Sequence, residues 1–216
     1  MQENRIDFTE ESNAIDYLEK AYYFLTLIKQ EPTNWKWVIL ALHGALYGFA
    51  ICALQGAHYE LVYRGIKLQK NNRKDVGSQK EKSRKNCWRS FLRLLAGADS
   101  QKKKSKTKFL ESLDSALRKC QNSQIMSRFI CGRPLVLTTS QKASIEKMKQ
   151  IRNSFAHYEP RIWIILTECL PHISNDVLDV ILFLATKTGT NPHVVLKRNE
   201  IERLIGDCKA ALKEMD

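Results

Sequence analysis

Residues 35–55 read WKWVILALHGALYGFAICALQ, and only Lys36, His43 and Gln55 interrupt an otherwise apolar run. A helix this apolar around its whole circumference has to be covered on every side, by protein or by lipid. Its length is within range of a membrane span, and Gly44 and Gly48 form a GxxxG pair. The flanks carry no clear Lys/Arg bias until Arg64, and no second span of comparable quality follows, so the expectation is a buried core helix. Ala41, Gly44, Ala45, Gly48 and Cys52 share one stripe, and small side chains there admit a second helix at short range. His43 is expected to be a hydrogen-bonded core or interface histidine rather than a ligand.

Around this segment the apolar spacing is helical throughout. Ile15, Leu18, Tyr22, Leu25 and Ile28 recur at intervals of three and four and predict a first helix over about Ser12–Lys29. QEPTNW breaks it, and Asn34 or Thr33 can cap the long apolar helix, which is expected to reach about Leu68. FLESLDSALRKC places Phe109, Leu113, Leu117 and Cys120 on one side of a helix. RIWIILTECLP fits a short extended piece or a short helix equally. NDVLDVILFLATK predicts a buried helix capped by Asn175 or Asp176, and LKRNEIERLIGDCKAALKEMD a last amphipathic one. With no internal repeat and no convincing sheet pattern, the fold class is all-α.

Charge is placed unevenly. From Arg64 to Lys108 there are sixteen Lys/Arg and three Asp/Glu, a net +13 in a chain whose total is +12, so the remainder sums to −1. Localised positive charge favours a polyanion such as RNA, DNA or an acidic membrane surface; a solvated loop with no partner is the plainer reading. The six cysteines are far apart, with no CxxC and no Cys/His ligand pair, so neither a zinc site nor a disulfide framework is suggested and a reducing, intracellular compartment is expected. Cys52 and Cys120 lie in apolar runs and read as small core residues. MQENRIDFTEES is polar and acidic, unlike a signal peptide.

IRNSFAHYEP, residues 151–160, ends an amphipathic helix capped by Thr139 or Ser140. With Ile145 as zero and about 100° per residue, Met148 falls at roughly −60°, Phe155 at roughly −80°, Ala156 at roughly +20° and Arg152 at roughly −20°. Arg152 is therefore expected to point from the centre of the apolar stripe, where a guanidinium must meet carboxylates, carbonyls, water or a bound anion. Glu146, two turns back, is poorly placed to be that partner. His157 follows five residues later, in a last turn that Pro160 prevents from continuing, so its ring can swing back toward the arginine. Asn153 adds an amide able to orient either group or hold a phosphate oxygen. An arginine fork and a group titrating near neutrality suffice in principle to cleave RNA, which carries its own nucleophile in the 2′-hydroxyl.

RNSFAH, from Arg152 to His157, resembles the Arg-x(4–6)-His motif of the HEPN superfamily, including the polar residue directly after the arginine. The context, with HYEPRIW ending the motif helix and WKWVILALHGALYGF far upstream, resembles a branch of HEPN-like proteins found on bacterial plasmids. The similarity covers about Trp35 to Leu54 and Met148 to Leu184 and leaves out the basic middle and the final helix. It implies a HEPN-like helical bundle. The chain is read as a single domain over 1–216, in which residues 69–107, with no apolar period, form a basic, flexible insertion. The resemblance further implies a homodimer whose two motifs face each other across the interface. Active members are metal-independent endoribonucleases acting as toxins or in anti-phage defence. On that resemblance Arg152 binds and stabilises the phosphate, His157 transfers protons and Asn153 assists, with no metal and no cofactor. The expected partners are RNA, a second copy of the chain and, for a toxin, an antitoxin protein; the expected location is the cytoplasm, off the membrane. One toxin branch carries His-x-Tyr with a modified tyrosine; here Tyr158 directly follows His157 and Glu159 holds the third position, so that modification is not implied.

Two other readings stand beside this one. A non-catalytic HEPN-fold module would use Arg152 and His157 as interface residues and the basic segment to bind nucleic acid. A small membrane-associated protein would use residues 35–55 as its anchor. If RNA is the partner, the segment from Arg64 to Lys108 guides it electrostatically, and Trp88 or Phe91 is a candidate for stacking on a base.

Overall fold

A computed structural model of the chain describes residues 6–57, 59–64, 109–127, 132–156, 162, 164–188 and 192–215. The fold is all-α: eight α-helices are described, and among the described residues the one extended pairing is an isolated bridge between Tyr63 and Leu110. Two compact units are present, one of Met1–Val62 with Glu111–Asp216, the other of Tyr63–Leu110. The basic segment expected as an insertion at 69–107, with Trp88 and Phe91, belongs to the second unit and lies outside the described residues. At the edge of that unit Arg64 donates its backbone N–H to the Phe109 carbonyl (2.9 Å) and its Nε–H to the Leu110 carbonyl (2.8 Å).

The first unit is built around α2 (Trp35–Ala57). Before it comes α1 (Glu10–Leu27), opened by a capping box: Thr9 Oγ1 accepts from the Ser12 N–H (3.1 Å) and Ser12 Oγ from the Thr9 N–H (2.9 Å). After it come α3 (Leu113–Gln121), α4 (Ser123–Met126), α5 (Thr139–Ala156), α6 (Leu170–Thr186), α7 (Pro192–Leu196) and α8 (Arg198–Lys213). α2 packs along α1 and also meets α3, α5 and α6, while α8 closes against α1 and α6. Val38, Ile39, Leu42, Ala45, Leu46, Phe49, Ala50 and Leu54 on α2 are wholly buried. Each Leu or Phe so buried contributes roughly 1.5–3 kcal/mol, so coverage from several sides turns the all-round apolarity of α2 into the main source of stability.

Close approach of α1 explains the small residues on α2. A Cβ on Gly48 would stand 2.6 Å from the Ala14 Cβ and 3.2 Å from its Cα; one on Gly44 would stand 2.7 Å from the Tyr17 ring. Two segments, Pro32–Gly56 and Thr167–Thr186, are long and apolar enough to cross a membrane, and 67% and 61% of their apolar windows are buried inside the fold. The second of these was not expected from sequence. Cys52 and Cys120 are buried as expected; burial pushes the Cys120 thiol up to about 12 and raises that of Cys52 further, with help from Glu11 and Glu10.

Several element boundaries differ from expectation, each for a local reason. α2 stops at Ala57, well before Leu68, and a 3-10 turn over Tyr59–Val62 follows. α3 begins only at Leu113 because Ser112 caps it, accepting from the Ser115 N–H, and Phe109 is exposed instead of lying on its apolar side. α5 is capped by neither Thr139 nor Ser140. Thr138 accepts from the Gln141 N–H and Gln141 returns its side-chain oxygen to the Thr138 N–H, both at 3.1 Å. α6 starts at Leu170 with Pro171 in its first turn, so Asn175 and Asp176 are interior positions and not caps.

The α1–α2 contact gives a direct test. Gly48→Ala should lower the denaturant midpoint by the equivalent of roughly 1–3 kcal/mol, despite the better helix propensity of alanine, because it meets backbone as well as a methyl. Gly44→Ala should cost clearly less, since Tyr17 can swing outward. A Gly48→Ala midpoint at or above that of the native chain would contradict the packing.

Candidate functional site

α5 carries the arginine motif, and its buried residues are Ser144, Ile145, Met148 and Ile151. On the same angular scale, Ser144 at roughly −100° and Ile151 at roughly −120° pull the buried centre to about −70°. Arg152 is therefore not at the centre of the stripe, as the apolar pattern suggested, but on its flank, half-buried, with Asn153 and Ala156 exposed beyond it. Its guanidinium reaches the Asn153 side chain (Nη1 to Oδ1, 3.1 Å). Among the described residues this neutral amide is its one hydrogen-bond partner, and it makes no ion pair. Glu146 is engaged elsewhere, by Lys149 at 2.8 Å. α5 is described to Ala156; His157, Tyr158, Glu159 and Pro160 lie outside the described residues.

Two polar devices hold this helix in place. On one side Lys149, mostly buried, binds Asp114 of α3 at 2.7 Å as well as Glu146. Burial works against its charge, but the two carboxylates outweigh that and raise its pKa. On the other side the Asp176 carboxylate of α6 accepts from the hydroxyls of Ser140 and Ser144, each at 2.6 Å, while His172 Nε2 lies 3.1 Å from Ser140 Oγ and 3.6 Å from the same Asp176 oxygen. Serine, histidine and aspartate meet here, yet not as a nucleophile device. That would need the serine proton directed to one imidazole nitrogen and the carboxylate on the other. Here Ser140 gives its proton to Asp176, and one imidazole nitrogen faces both. The cluster is a clamp between α5 and α6.

The member of the site that sequence reasoning placed elsewhere is His43. On α2, Lys36, His43 and Tyr47 share a face at spacings of seven and four. Lys36 Nζ lies 5.9 Å from the Phe155 ring centroid, and the Tyr47 hydroxyl donates to the Glu111 carbonyl at 2.6 Å. Moving along α2 from Lys36 therefore moves back along α5 from Phe155, which brings His43 level with Arg152 and Lys149. The half-buried imidazole makes no hydrogen bond among the described residues, contrary to expectation. Burial first, then the charges of Arg152 and Lys149, lower its pKa from the usual 6.5 to about 4, with Asp114 opposing weakly. His43 is neutral at pH 7 and borders the motif arginine. The spacing of Lys36, His43 and Tyr47 was available in the sequence; their alignment with α5, thirty and more residues past the basic segment, was not.

Among the described residues no three His, Cys, Asp or Glu side chains converge as metal ligands. No family model matches the chain, and neither a curated protein nor a solved structure matches it.

Because the folded-state pKa of His43 is depressed, the unfolded chain takes up a proton between pH 6.5 and 4 that the folded chain does not. Stability should therefore fall through that window as pH drops, by on the order of 2–3 kcal/mol for this group, and be insensitive to it above pH 7. Denaturation of His43→Gln at pH 7 and at pH 4 should show a smaller loss than the native chain; equal losses would remove His43 from the cationic cluster.

Proposed function

We propose that the chain is a metal-independent endoribonuclease of HEPN type, acting as a homodimer in the cytoplasm, as a toxin or an anti-phage effector. The observation that carries this reading is Arg152, a half-buried residue whose charge is met, among the described residues, by the Asn153 amide alone. An arginine without a carboxylate suits an anion that offers two oxygens to its fork, such as a phosphodiester. Three further features support it. Lys149 and the Asp176 clamp fix the helix that presents Arg152, and a site must be held rigidly to stabilise developing charge. The segment from Arg64 to Lys108 carries a net +13, suited to attracting a polyanion. Ile162, Ile164 and Leu166, just after the motif, are largely exposed apolar residues that a second copy of the chain could cover.

In this mechanism Arg152, assisted by Asn153, holds the phosphodiester and stabilises charge on its oxygens. The 2′-hydroxyl oxygen attacks phosphorus while its proton is removed; the bond to the 5′-oxygen breaks, and that oxygen receives a proton. The chain end left behind is a 2′,3′-cyclic phosphate. His157, one from each copy, performs the proton transfers. His43, neutral beside Arg152, adds no positive charge of its own and leaves Arg152 and Lys149 to set the local potential. Both membrane-length helices are mostly buried in protein, which favours a protein off the membrane.

The test is cleavage of single-stranded RNA in EDTA. The native chain should cut, His157→Ala should lose ~10²–10⁴-fold in rate, and Arg152→Ala should lose at least as much. Strict dependence on magnesium overturns the proposal. Salt-sensitive RNA binding with no cleavage leaves the non-catalytic module instead.

A further inference from the structure

Where α1 ends and α2 begins, three aromatic rings form a ladder that the mechanism above does not use. Tyr23 meets Phe24 edge-on with ring centroids 5.3 Å apart, and Phe24 stacks on Trp37 at 5.9 Å with an interplanar angle of 26°. Lys36 Nζ sits 4.8 Å from the Trp37 centroid and 5.9 Å from that of Phe155. The ladder thus crosses from α2 to the last turn of α5, one turn beyond Arg152. These rings are not core. Tyr23 is 56% and Trp37 46% exposed, whereas Trp35, two residues earlier on the same helix, is 7% exposed. A helix that buries one tryptophan and presents the next to solvent keeps a large stacking surface in water, although packing could have removed it.

The charge around the rings is also one-sided. Lys36 makes no ion pair and no hydrogen bond among the described residues, and Arg152 meets only the neutral amide of Asn153. Two cations without carboxylates, set against exposed rings, complement a ligand that offers negative charge and flat π-faces together. A single-stranded nucleic acid has both; in a duplex the base faces are hidden within the stack. Lys36 beside the exposed Trp37 ring places a cation where the phosphates of a strand stacked along these rings would run.

We propose that Trp37 and Tyr23, with Lys36, form a stacking platform for unpaired bases of an RNA strand whose phosphate lies at Arg152. The proposal rests on RNA reaching Arg152 but not on its being cut there. The platform selects single strands over duplexes and sets which side of the scissile phosphate is gripped. It differs from the expectation that Trp88 or Phe91 would stack, since those residues belong to the basic segment.

The experiment measures anisotropy of a fluorescent 2′-O-methyl oligoadenylate, which lacks the nucleophile and cannot be cut, bound to the full chain at fixed salt. The single strand should bind more tightly than the same strand annealed to its complement. Trp37→Ala should weaken single-strand binding roughly five-fold to a hundred-fold, the worth of one lost stack, with Trp37→Phe retaining most of the affinity and duplex binding unchanged. Tyr23→Ala, at a more exposed position, should act in the same direction if Trp37→Ala folds poorly. Lys36→Gln should weaken binding and flatten its salt dependence. Native affinity in Trp37→Ala and Tyr23→Ala, or equal affinity for strand and duplex, overturns the platform. So does a change of oligomeric state in these variants without loss of RNA affinity, which would make the face a protein interface. Trp37-dependent binding by a chain that cleaves no RNA supports the platform and refutes the nuclease reading; cleavage of ordinary RNA that is indifferent to Trp37→Ala does the reverse.

Discussion

The packing of the Ala14 methyl against the bare backbone of Gly48 is the contact on which the rest of the first unit depends. It lets α1 lie so close to α2 that no side chain fits between them at that point. One face of α2 is then closed by a single helix, and its other faces remain for α3, α5 and α6. A helix as apolar as α2 tolerates no solvent on any broad face, so the bundle has little freedom in how it is assembled. Sequences that cross membranes meet the same demand with lipid. Here Val38, Leu42, Leu46 and Phe49 meet it with protein.

The few polar residues of α2 acquire meaning from this arrangement. Lys36, His43 and Tyr47 fall on the face turned toward α5 and α3, and they are the points at which the apolar helix touches charge. Across from them Lys149 is satisfied twice over by Asp114 and Glu146, whereas Arg152, one turn further on, is satisfied by an amide. That difference between neighbouring cations separates a residue that fastens helices together from one available to a ligand. An ion pair compensates the cost of burying most of Lys149; among the described residues nothing equivalent compensates Arg152, and such residues concentrate where binding supplies the counter-charge.

How far the sequence reached depended on the range of the forces involved. The all-α class, the buried core helix and the burial of Cys52 and Cys120 follow from apolar spacing, which is local. So does the purpose of Gly44 and Gly48, although their partner helix could only be inferred as some neighbour. Caps were harder. Thr138 lies beside two equally plausible residues, and the choice falls to it because Gln141 answers three positions on while Ser140 is drawn to Asp176 on another helix. The angular placing of Arg152 failed because the stripe was centred on its apolar members, and Ser144, buried by the same Asp176, could not be counted among them. Sequence alone makes His43 a hydrogen-bonded core or interface histidine, because the neighbours that set its charge come from α5 and α3, more than seventy residues away.

The position of Arg152 on the flank of the stripe, not at its centre, changes what it can do. At the centre, a guanidinium would be walled in by Met148 and Ile151 and would need a fixed internal partner; its desolvation would be lost to folding whether or not a ligand came. On the flank, its stem can lie along apolar surface while the fork stays at the boundary with water, next to exposed Asn153. There the proposed anion meets a donor already held by the Asn153 amide. The same arrangement bears on His43: if the proposed anion sits on Arg152, it offsets one of the two charges that add to burial in keeping the imidazole neutral, and the affinity of His43 for a proton rises. If an anion binds at Arg152 as proposed, its binding and the protonation of His43 are coupled through one guanidinium, and by linkage each favours the other.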